Sequence, residues 1–253
     1  MSLSKLPHDP ITPYGDAGTA KKEQVAQMFN RIARRYDFLN RLLSAGIDRT
    51  WRRRAVDLLK HEPHDRILDV ASGTADMAIL AARRLGTRQI TGIDISEQML
   101  ELGRKKVEKE GFANVITLQT GDSETINFPS GTFDAVLVAF GVRNFENLHA
   151  GLQEMLRVLK PGGRLVVLEF SKPRNALARG LYNLYMGALA PELAGWFSRD
   201  KKAYQYLNKS ALAFPDRGDF VDILNRVGYL DTSYKPLSLG ICCIYSGRKP
   251  VSP

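Results

Sequence analysis

The sequence predicts an α/β fold of the Rossmann-like class, with a mostly parallel seven-stranded sheet that ends in an antiparallel hairpin. Short β-type runs alternate with helical runs from Arg66 onwards, which is the pattern of a parallel sheet covered on both faces. The last two β-type runs are separated by very little chain, and only antiparallel strands can be joined so closely. Hydrophobic residues make up 44% of the 253 residues and charged ones 25%, which excludes a disordered, collagenous or disulfide-scaffold protein.

The N-terminal region predicts an arm followed by helices. Residues 1–20 contain several prolines and glycines and little apolar periodicity, which predicts a flexible arm. From Lys21 apolar residues recur at intervals of three and four, the stripe of an amphipathic helix, and a second helical stretch runs from Trp51 to Leu59. We interpret residues 21–60 as a helical lid; the alternative is a pair of helices that only packs on the core.

The rest of the chain, within a single domain over residues 21–253, supplies the sheet. Ser96 is a suitable helix N-cap, Gly111 a helix stop, and residues 172–215 are left as a helical insertion after the fifth strand. The predicted strands are Arg66–Val70, Gln89–Asp94, Val115–Thr120, Phe133–Phe140, Arg164–Phe170, Tyr229–Leu237 and Gly240–Arg248, and the helices among them are Met77–Leu85, Ser96–Gly111 and Leu148–Leu159.

The cysteines, histidines and charges limit the classes of function. Cys242 and Cys243 are adjacent, which suits neither a zinc site nor a redox pair, so we expect a reducing, cytoplasmic location. The four histidines do not cluster at ligand spacing, and no metal is expected. No apolar run approaches the length of a membrane span. The net charge of +9 suits a nucleic-acid or anionic-membrane partner, and equally an ordinary basic enzyme.

Small and acidic residues follow the first three strands, at the edge where open α/β sheets bind ligands. After the first strand, the loop from Asp69 to Asp76 is rich in small residues and leads into a helix N-terminus, although Gly73 is its only glycine. Asp94 ends the second strand, where a carboxylate can accept hydrogen bonds from both hydroxyls of a ribose. Gly121-Asp122-Ser123 ends the third strand, beside the expected position of an adenine ring. A lone acid of this kind is also common as a helix cap or a surface charge.

With these strand ends, the chain resembles the class I methyltransferases that use S-adenosylmethionine, whose sheet also finishes in an antiparallel hairpin. The resemblance implies S-adenosylmethionine as the cofactor. A dinucleotide dehydrogenase would need a fuller glycine fingerprint and a second nucleotide-binding half, and the sequence shows neither. The resemblance assigns Gly73 and Thr74 to the methionine part of the cofactor, Asp94 to the ribose, Asp122 and Ser123 to the adenine, and Asp69 to orienting the loop.

Two longer motifs indicate a more specific family within this class. Tyr36-Asp37-Phe38-Leu39-Asn40 with Leu43-Ser44 and Trp51, and the run Arg157–Ser171, resemble the signatures of the quinone-biosynthesis C-methyltransferases. With Phe140–Phe145 the resemblance covers nearly all of residues 21–248. It implies methylation of a ring carbon of a prenylated quinol, with demethylmenaquinol expected first and the benzoquinol precursor of ubiquinone as the alternative.

The sequence also departs from family and class motifs. Leu39 stands where the signature has Met, Asp48 where it has His, and Ala139 where many members have a Ser that touches the cofactor. The segment after the fourth strand, Ala139–Phe145, lacks the Asn/Asp-Pro-Pro-aromatic motif of many amino and base methyltransferases. This absence weakens the interpretation as an RNA methyltransferase, so no nucleic-acid partner is expected despite the charge.

Ring C-methylation needs a group that favours the phenolate form of the acceptor. Arg143 follows the fourth strand and is the best-placed cation, with Asn144 to fix its geometry or to bind a quinol oxygen. Tyr36 and Asp37 can reach the site from the lid helix. The competing interpretations are a buried ion pair for Arg143, packing or capping for Tyr36 and Asp37, and a solvent-facing position for His149.

An apolar and aromatic stretch from Leu177 to Phe197, flanked by basic residues, suits a lipid-facing cap over a prenyl substrate. We therefore expect transient contact with the inner face of the cytoplasmic membrane. The alternative is an insertion that packs on its own domain or on a second subunit in a homodimer. A cofactor-binding or lipid-binding module without catalysis is the rival from another functional class.

Overall fold

The computed structural model describes residues 6–44, 46–174, 180 and 200–251. Its seven-stranded sheet has the order β3-β2-β1-β4-β5-β7-β6. Strands β1 to β5 pair in parallel, and β7 pairs antiparallel with both β5 and β6, so the predicted fold class and its terminal hairpin are confirmed. The strands are β1 (Arg66–Val70), β2 (Gln89–Asp94), β3 (Ile116–Thr120), β4 (Phe133–Ala139), β5 (Leu159–Phe170), β6 (Leu230–Leu237) and β7 (Cys242–Arg248).

Helices cover both faces of the sheet. Side chains along β1 alternate between two apolar layers: Ile67 lies in the layer beneath α2 and α3, and Leu68 in the layer beneath α5 and α7. This alternation follows from the pleat of the strand, since successive side chains point to opposite faces. The described helices are α1 (Lys21–Leu43), α2 (Asp48–Val56), α3 (Asp76–Leu85), α4 (Glu97–Lys109), α5 (Leu148–Val158), α6 (Lys201–Ala213) and α7 (Gly218–Val227).

Most predicted bounds lie within one to three residues of the observed ones, and two elements differ by more. Strand β5 begins at Leu159 rather than at Arg164, because Leu159 pairs with Phe133 and because Gly162 and Gly163 exchange backbone hydrogen bonds with Lys249. A Pro-Gly-Gly run is typical of a turn, and only its neighbours in the fold make it part of a strand. Helix α7 has no counterpart among the predicted elements; Phe220 and Leu224 hold it in the core.

The described part of the N-terminal arm, residues 6–20, contacts the domain through several side chains. His8 is buried and meets the Phe214 ring edge-on at 5.2 Å between centroids. The Lys21 ammonium donates to the His8 carbonyl at 3.1 Å, and the Tyr14 hydroxyl donates to Asp200 at 2.8 Å. A few anchoring side chains therefore dock a segment that is otherwise rich in proline and glycine.

Helix α1 lies along the carboxyl ends of three strands. In its first turn, Lys22 forms an ion pair with Asp122, which follows β3. In its middle, the Asn30 side-chain oxygen accepts a hydrogen bond from the Ser96 hydroxyl, which follows β2. Its last turns bond Asp37 to Thr74 after β1. Helix α6 also packs on α1, where Ala203 and Tyr206 join an apolar cluster with residues of α1.

Most of the predicted insertion lies outside the described residues. The apolar stretch from Leu177 to Phe197 belongs to that part, so the expected lipid-facing cap stays a prediction. No helix within the described ranges has both the length and the apolar character that a membrane crossing requires.

Candidate active site

A cleft of about 880 Å³, counting the part open to solvent, lies between α1 and the carboxyl ends of strands β1 to β4. This is the size range of small-molecule and cofactor sites. Every predicted site residue except Arg143 lines it: Tyr36, Asp37, Asp69, Gly73, Thr74, Asp94, Asp122, Ser123, Ala139 and Asn144. The topology therefore brings these residues together at one edge of the sheet.

The loop after β1 is held in place by the carboxylate that ends β2. Gly73 adopts a positive φ of 54°, a conformation that glycine enters without a Cβ penalty. Its amide donates to one Asp94 oxygen at 2.8 Å, and the Ser96 amide donates to the other at 2.9 Å. Each carboxylate oxygen has a further lone pair. Asp94 can therefore clamp the loop and still accept from ribose hydroxyls.

Asp69 is buried near the end of β1, just before this loop, and the described protein groups satisfy it poorly. Neither of its carboxylate oxygens accepts a hydrogen bond of good geometry from the described residues, although the Ala78 amide is close enough to lower the pKa of Asp69, and the buried Ser72 hydroxyl has no partner among these residues. Burial raises the pKa of Asp69 to about 7; nearby Asp94 and Asp76 also raise it, and Arg52 opposes them. Buried polar atoms without partners inside a cavity indicate a polar ligand. The ammonium and sulfonium of S-adenosylmethionine fit this acidic wall.

Asp122 and Ser123 line the far end of the same cleft. One Asp122 oxygen accepts from the Lys22 ammonium at 3.1 Å, and the other accepts from the Glu124 amide at 2.9 Å. Apolar side chains, among them Phe29, Ile95 and Met99, complete this end of the lining. A flat aromatic base fits between such apolar surfaces, with Asp122 and Ser123 at its polar edge.

Asp37 is occupied by other protein groups. One of its oxygens accepts from the Thr74 hydroxyl at 2.7 Å, and the other pairs with the Lys106 ammonium at 2.6 Å. Lys106 also pairs with Asp76 at 2.6 Å. Asp37 thus joins the end of α1 to α3 and α4. Beside it, Tyr36 faces the cleft, and burial raises the pKa of its hydroxyl while Arg143 acts in the opposite direction.

Arg143 is the predicted site residue that does not line the cleft. Its guanidinium pairs with the fully buried Glu169 at 2.7 Å and donates to the Phe140 carbonyl at 2.7 Å. This matches the competing interpretation, a buried ion pair that braces the turn after β4. The adjacent Asn144 does line the cleft, and its buried side-chain oxygen has no hydrogen-bond partner in the described chain. His149 is partly exposed on α5, away from the lining residues.

The sequence analysis assigned no role to Arg52, which lines the cleft from α2. Its guanidinium carbon lies 5.1 Å from the centroid of the Phe140 ring, which also lines the cleft. The available signal in the sequence was its position directly after Trp51, where the first signature ends. Among the residues that depart from family motifs, Ala139 lines the cleft, and Asp48 is buried and accepts from the Ser44 hydroxyl at 2.9 Å.

Comparison with known proteins gives consistent results at the level of family and relatives. The model of the ubiE/COQ5 methyltransferase family matches residues 17–249. A ubiquinone/menaquinone biosynthesis C-methyltransferase UbiE of Geotalea daltonii is 47% identical over 232 residues, which are 91% of this chain and 98% of the relative. A demethylmenaquinone methyltransferase of Bacteroides fragilis is 44% identical over 243 residues, which are 96% of this chain and 99% of the relative.

Comparison with solved structures bears on the fold alone. A methyltransferase of Thermotoga maritima that depends on S-adenosylmethionine superposes with a TM-score of 0.61 at 20% identity, covering 88% of this chain and 99% of its own. Phosphoethanolamine N-methyltransferase 2 of Haemonchus contortus, in complex with S-adenosylmethionine, gives a TM-score of 0.56 at 16% identity, covering 78% of this chain and 52% of its own. These similarities show the fold of the class I methyltransferases.

Proposed function

As a member of the ubiE/COQ5 methyltransferase family, the chain is an S-adenosylmethionine-dependent methyltransferase of a quinone ring carbon, and we propose that its acceptor is demethylmenaquinol. The main support for the proposal is the cleft. It is lined by acidic residues at the carboxyl ends of β1, β2 and β3 and by aromatic side chains near β4. A benzoquinol of the ubiquinone pathway is the second candidate, because the Geotalea daltonii relative is named for both quinones. Because the chain belongs to this family, we no longer interpret it as an RNA methyltransferase.

We propose that the donor lies along the carboxyl ends of β1, β2 and β3. S-adenosylmethionine supplies a methyl group on a positively charged sulfur. Gly73 and Thr74 hold its amino-acid part, Asp94 accepts from the ribose hydroxyls, and Asp122 with Ser123 binds the adenine edge. Asp69 faces the cationic end of the donor, and Ala139 closes the wall beside it. The support is that all these residues line one cleft.

The acceptor ring then occupies the part of the cleft next to β4. A ring carbon becomes nucleophilic when an ortho or para hydroxyl of the quinol is deprotonated. With the donor bound, that carbon would bond to the methyl carbon as the carbon–sulfur bond breaks and S-adenosylhomocysteine is released. Transfer of the ring proton to water would then restore aromaticity. The in-line approach requires both reactants to be held in van der Waals contact.

The chain's own contribution on this side is placement of the ring and exclusion of water. Tyr36, Phe140 and Phe145 line this region. We propose that the partnerless side-chain oxygen of Asn144 accepts from a quinol hydroxyl. The Arg143–Glu169 pair is then a positioning device, because it fixes the short turn Val142–Asn144 that presents Asn144.

A turnover assay tests the function. The purified protein is incubated with methyl-labelled S-adenosylmethionine and with demethylmenaquinol or the benzoquinol precursor in parallel reactions. We expect label and the mass of one methyl group on the naphthoquinol. Methylation of the benzoquinol alone would replace the first candidate with the second, and an unmodified lipid in both reactions would contradict ring methylation.

A prenylated acceptor partitions into lipid, so we propose that the protein works at the inner surface of the cytoplasmic membrane. The support is a set of exposed apolar side chains where α1 ends and α2 begins: Phe38 is 54% exposed, Leu42 37% and Ile47 45%. Exposed Arg34 and Arg49 lie on the same two helices. Apolar residues beside cations suit an anionic bilayer surface.

A further inference from the structure

We propose that Arg52 binds an oxyanion inside the cleft, either the carboxylate of the donor's methionine part or the phenolate oxygen of the acceptor. The acceptor alternative rests on the proposed function, whereas the donor alternative rests on the cofactor alone. Both sources share one chemistry, a negatively charged oxygen facing a guanidinium. A guanidinium suits it because its planar donors can bind two oxygens side by side.

The position of Arg52 meets the geometric requirements. It projects from α2 into the cleft, and only 11% of its side chain is exposed. Its contact with the Phe140 ring, at 5.1 Å, keeps the guanidinium beside the lining without using its hydrogen-bond donors. Phe140 in turn packs on Phe170, with 4.7 Å between the ring centroids. The ring that contacts the Arg52 guanidinium is therefore part of the core.

The donors of Arg52 are largely unused. Its ion pair with Asp48, one turn earlier on α2, has a separation of 3.7 Å. Its buried Nε has no hydrogen-bond partner among the residues that the structure describes. A guanidinium carries five donor hydrogens, and leaving them unsatisfied in a nearly closed site costs free energy. A ligand oxyanion would satisfy them.

The surrounding charges place Arg52 near the reacting end of the cleft. Its positive charge lowers the pKa of Asp69 on β1 and of Asp76 on α3, and it acts in the same direction on Tyr36 of α1. All these groups line the cleft. The cation is therefore close to where the methionine part of the donor and the acceptor ring must meet.

The other cations near the cleft are engaged. Within the described part of the lining, the basic side chains are Lys22 and Arg52, and Lys22 pairs with Asp122. Arg143 lies behind the lining and pairs with Glu169. Arg52 is the remaining lining cation that can meet an incoming anion.

The experiment compares Arg52→Gln with Arg53→Gln, the same change on the exposed neighbour of the same helix. Calorimetry gives the affinity of each protein for S-adenosylhomocysteine and for 5′-methylthioadenosine, which lacks the amino-acid part. If Arg52 binds the donor carboxylate, Arg52→Gln weakens S-adenosylhomocysteine binding roughly tenfold to hundredfold and leaves 5′-methylthioadenosine binding unchanged.

Turnover with a short-chain quinol distinguishes the second source. If Arg52 binds the phenolate, S-adenosylhomocysteine affinity is unchanged, kcat/KM for the quinol falls roughly tenfold or more, and the pH-rate profile of Arg52→Gln moves to higher pH. Arg52→Lys, which retains the charge without the planar fork, should recover part of either loss. It also replaces Arg52→Gln if that variant does not fold.

The proposal is overturned if a folded Arg52→Gln protein matches Arg53→Gln in both affinities, in kcat/KM and in its pH profile. It is also overturned if both variants lose affinity for both nucleosides equally, since that indicates a general structural effect. The binding comparison uses no quinol. Failure of the wild-type protein to methylate either quinol would therefore contradict the proposed function and leave the donor alternative measurable.

Discussion

At the end of β1, the protonation state of Asp69 depends on what occupies the cleft. Its pKa is raised to about 7, chiefly by burial. A bound donor brings positive charge next to this carboxyl group and favours its ionised form, so binding lowers the pKa and releases a proton. We expect the dissociation constant of S-adenosylmethionine to fall as the pH rises from about 6 to about 8. Calorimetry in buffers of different ionisation enthalpy measures both the affinity and the proton release.

Asp69→Asn supplies the control for this prediction, because an amide does not titrate. Its donor affinity should vary little with pH, and no proton should be released on binding. In the unliganded protein the raised pKa means that the folded state holds a proton between 3.8 and about 7 that the unfolded state has lost. Stability therefore falls as the pH rises through this window, by about 4 kcal/mol at most, and Asp69→Asn should remove that fall. Equal pH slopes in both proteins would contradict the assignment.

Strand-end residues are the part of the site that sequence predicts well. Asp69 lies near the end of a buried apolar run, Asp94 ends the next one and Asp122 follows the third, and parallel strands bring such ends to one edge of a sheet. Arg52 and Arg143 show why the rest is not predictable. Arg143 also follows a strand, but it turns inward because Glu169, on the neighbouring strand, is a buried partner. Arg52 reaches the cleft through the packing of α2, which no local pattern encodes.

At the scale of elements, helix α4 supports the donor loop through a close contact. An added Cβ on Gly103 would lie 3.2 Å from the Gly73 carbonyl oxygen and 2.8 Å from a Leu118 methyl group. The leucine can move, whereas the loop backbone must shift. We expect Gly103→Ala to weaken S-adenosylhomocysteine binding roughly tenfold, because the loop is displaced from the geometry that Asp94 fixes. Calorimetry checks the affinity, and thermal unfolding checks that the protein remains folded.

Gly218→Ala is the matched control for this substitution, since none of the described residues comes within 4 Å of the position where its Cβ would be. It should leave donor affinity unchanged. If Gly103→Ala binds S-adenosylhomocysteine like the control, the contact between α4 and the loop does not set the binding geometry.

The end of α1 is held by one ammonium between two carboxylates. Lys106 Nζ lies 2.6 Å from Asp37 on α1 and 2.6 Å from Asp76 on α3. Lys106→Met leaves the two carboxylates without their cation, so we expect the last turns of α1 to loosen and stability to fall by about 1–3 kcal/mol. Hydrogen exchange should quicken for the amides of residues 34–43, and donor dissociation should become faster.

Lys105→Met is the control for the Lys106 prediction, because Lys105 is exposed on the same helix. It removes the same charge without touching Asp37. Unchanged exchange in α1 of Lys106→Met, relative to this control, would mean that the ion pairs do not restrain the helix.

Elements with a regular pattern are predictable, and those defined by their neighbours are not. The predicted bounds of β1 and β2 match the structure because each is a short, largely apolar run that begins at a polar residue, Arg66 or Gln89. The start of β5 is missed because Pro and Gly dominate it locally, and the similar composition of residues 6–20 does not indicate which of their side chains contact the domain. Their positions depend on pairing with Lys249 and on burial of His8 against Phe214.

For the whole molecule, the position of α1 connects the proposed chemistry with the proposed membrane contact. One face of α1 lies over the donor end of the cleft, and its end exposes Phe38 and Leu42 close to Ile47. A prenylated ring that leaves a bilayer would then enter next to the helix that covers the donor. This arrangement predicts that membrane binding depends on the end of α1 and not on apolar side chains elsewhere.

The triple variant Phe38→Ser, Leu42→Ser and Ile47→Ser tests that dependence. Each change removes apolar surface that would enter the interface, so we expect binding to vesicles of phosphatidylglycerol and phosphatidylcholine to weaken roughly tenfold or more. Wild-type binding should also fall with added salt and in vesicles of phosphatidylcholine alone, because the arginines of α1 and α2 contribute through charge. Cosedimentation measures both effects.

Leu230→Ser with Tyr234→Ser controls for a general loss of surface apolarity, since these exposed residues lie on β6 at the edge of the sheet. The β6 variant should bind vesicles like the wild type, and both variants should retain turnover with a short-chain quinol in solution. If the β6 variant lost as much vesicle binding as the triple variant, membrane binding would depend on general surface apolarity and not on the end of α1. Equal binding by the triple variant and the wild type would place the membrane contact elsewhere on the molecule, and the residues between 175 and 199 would become the next region to test.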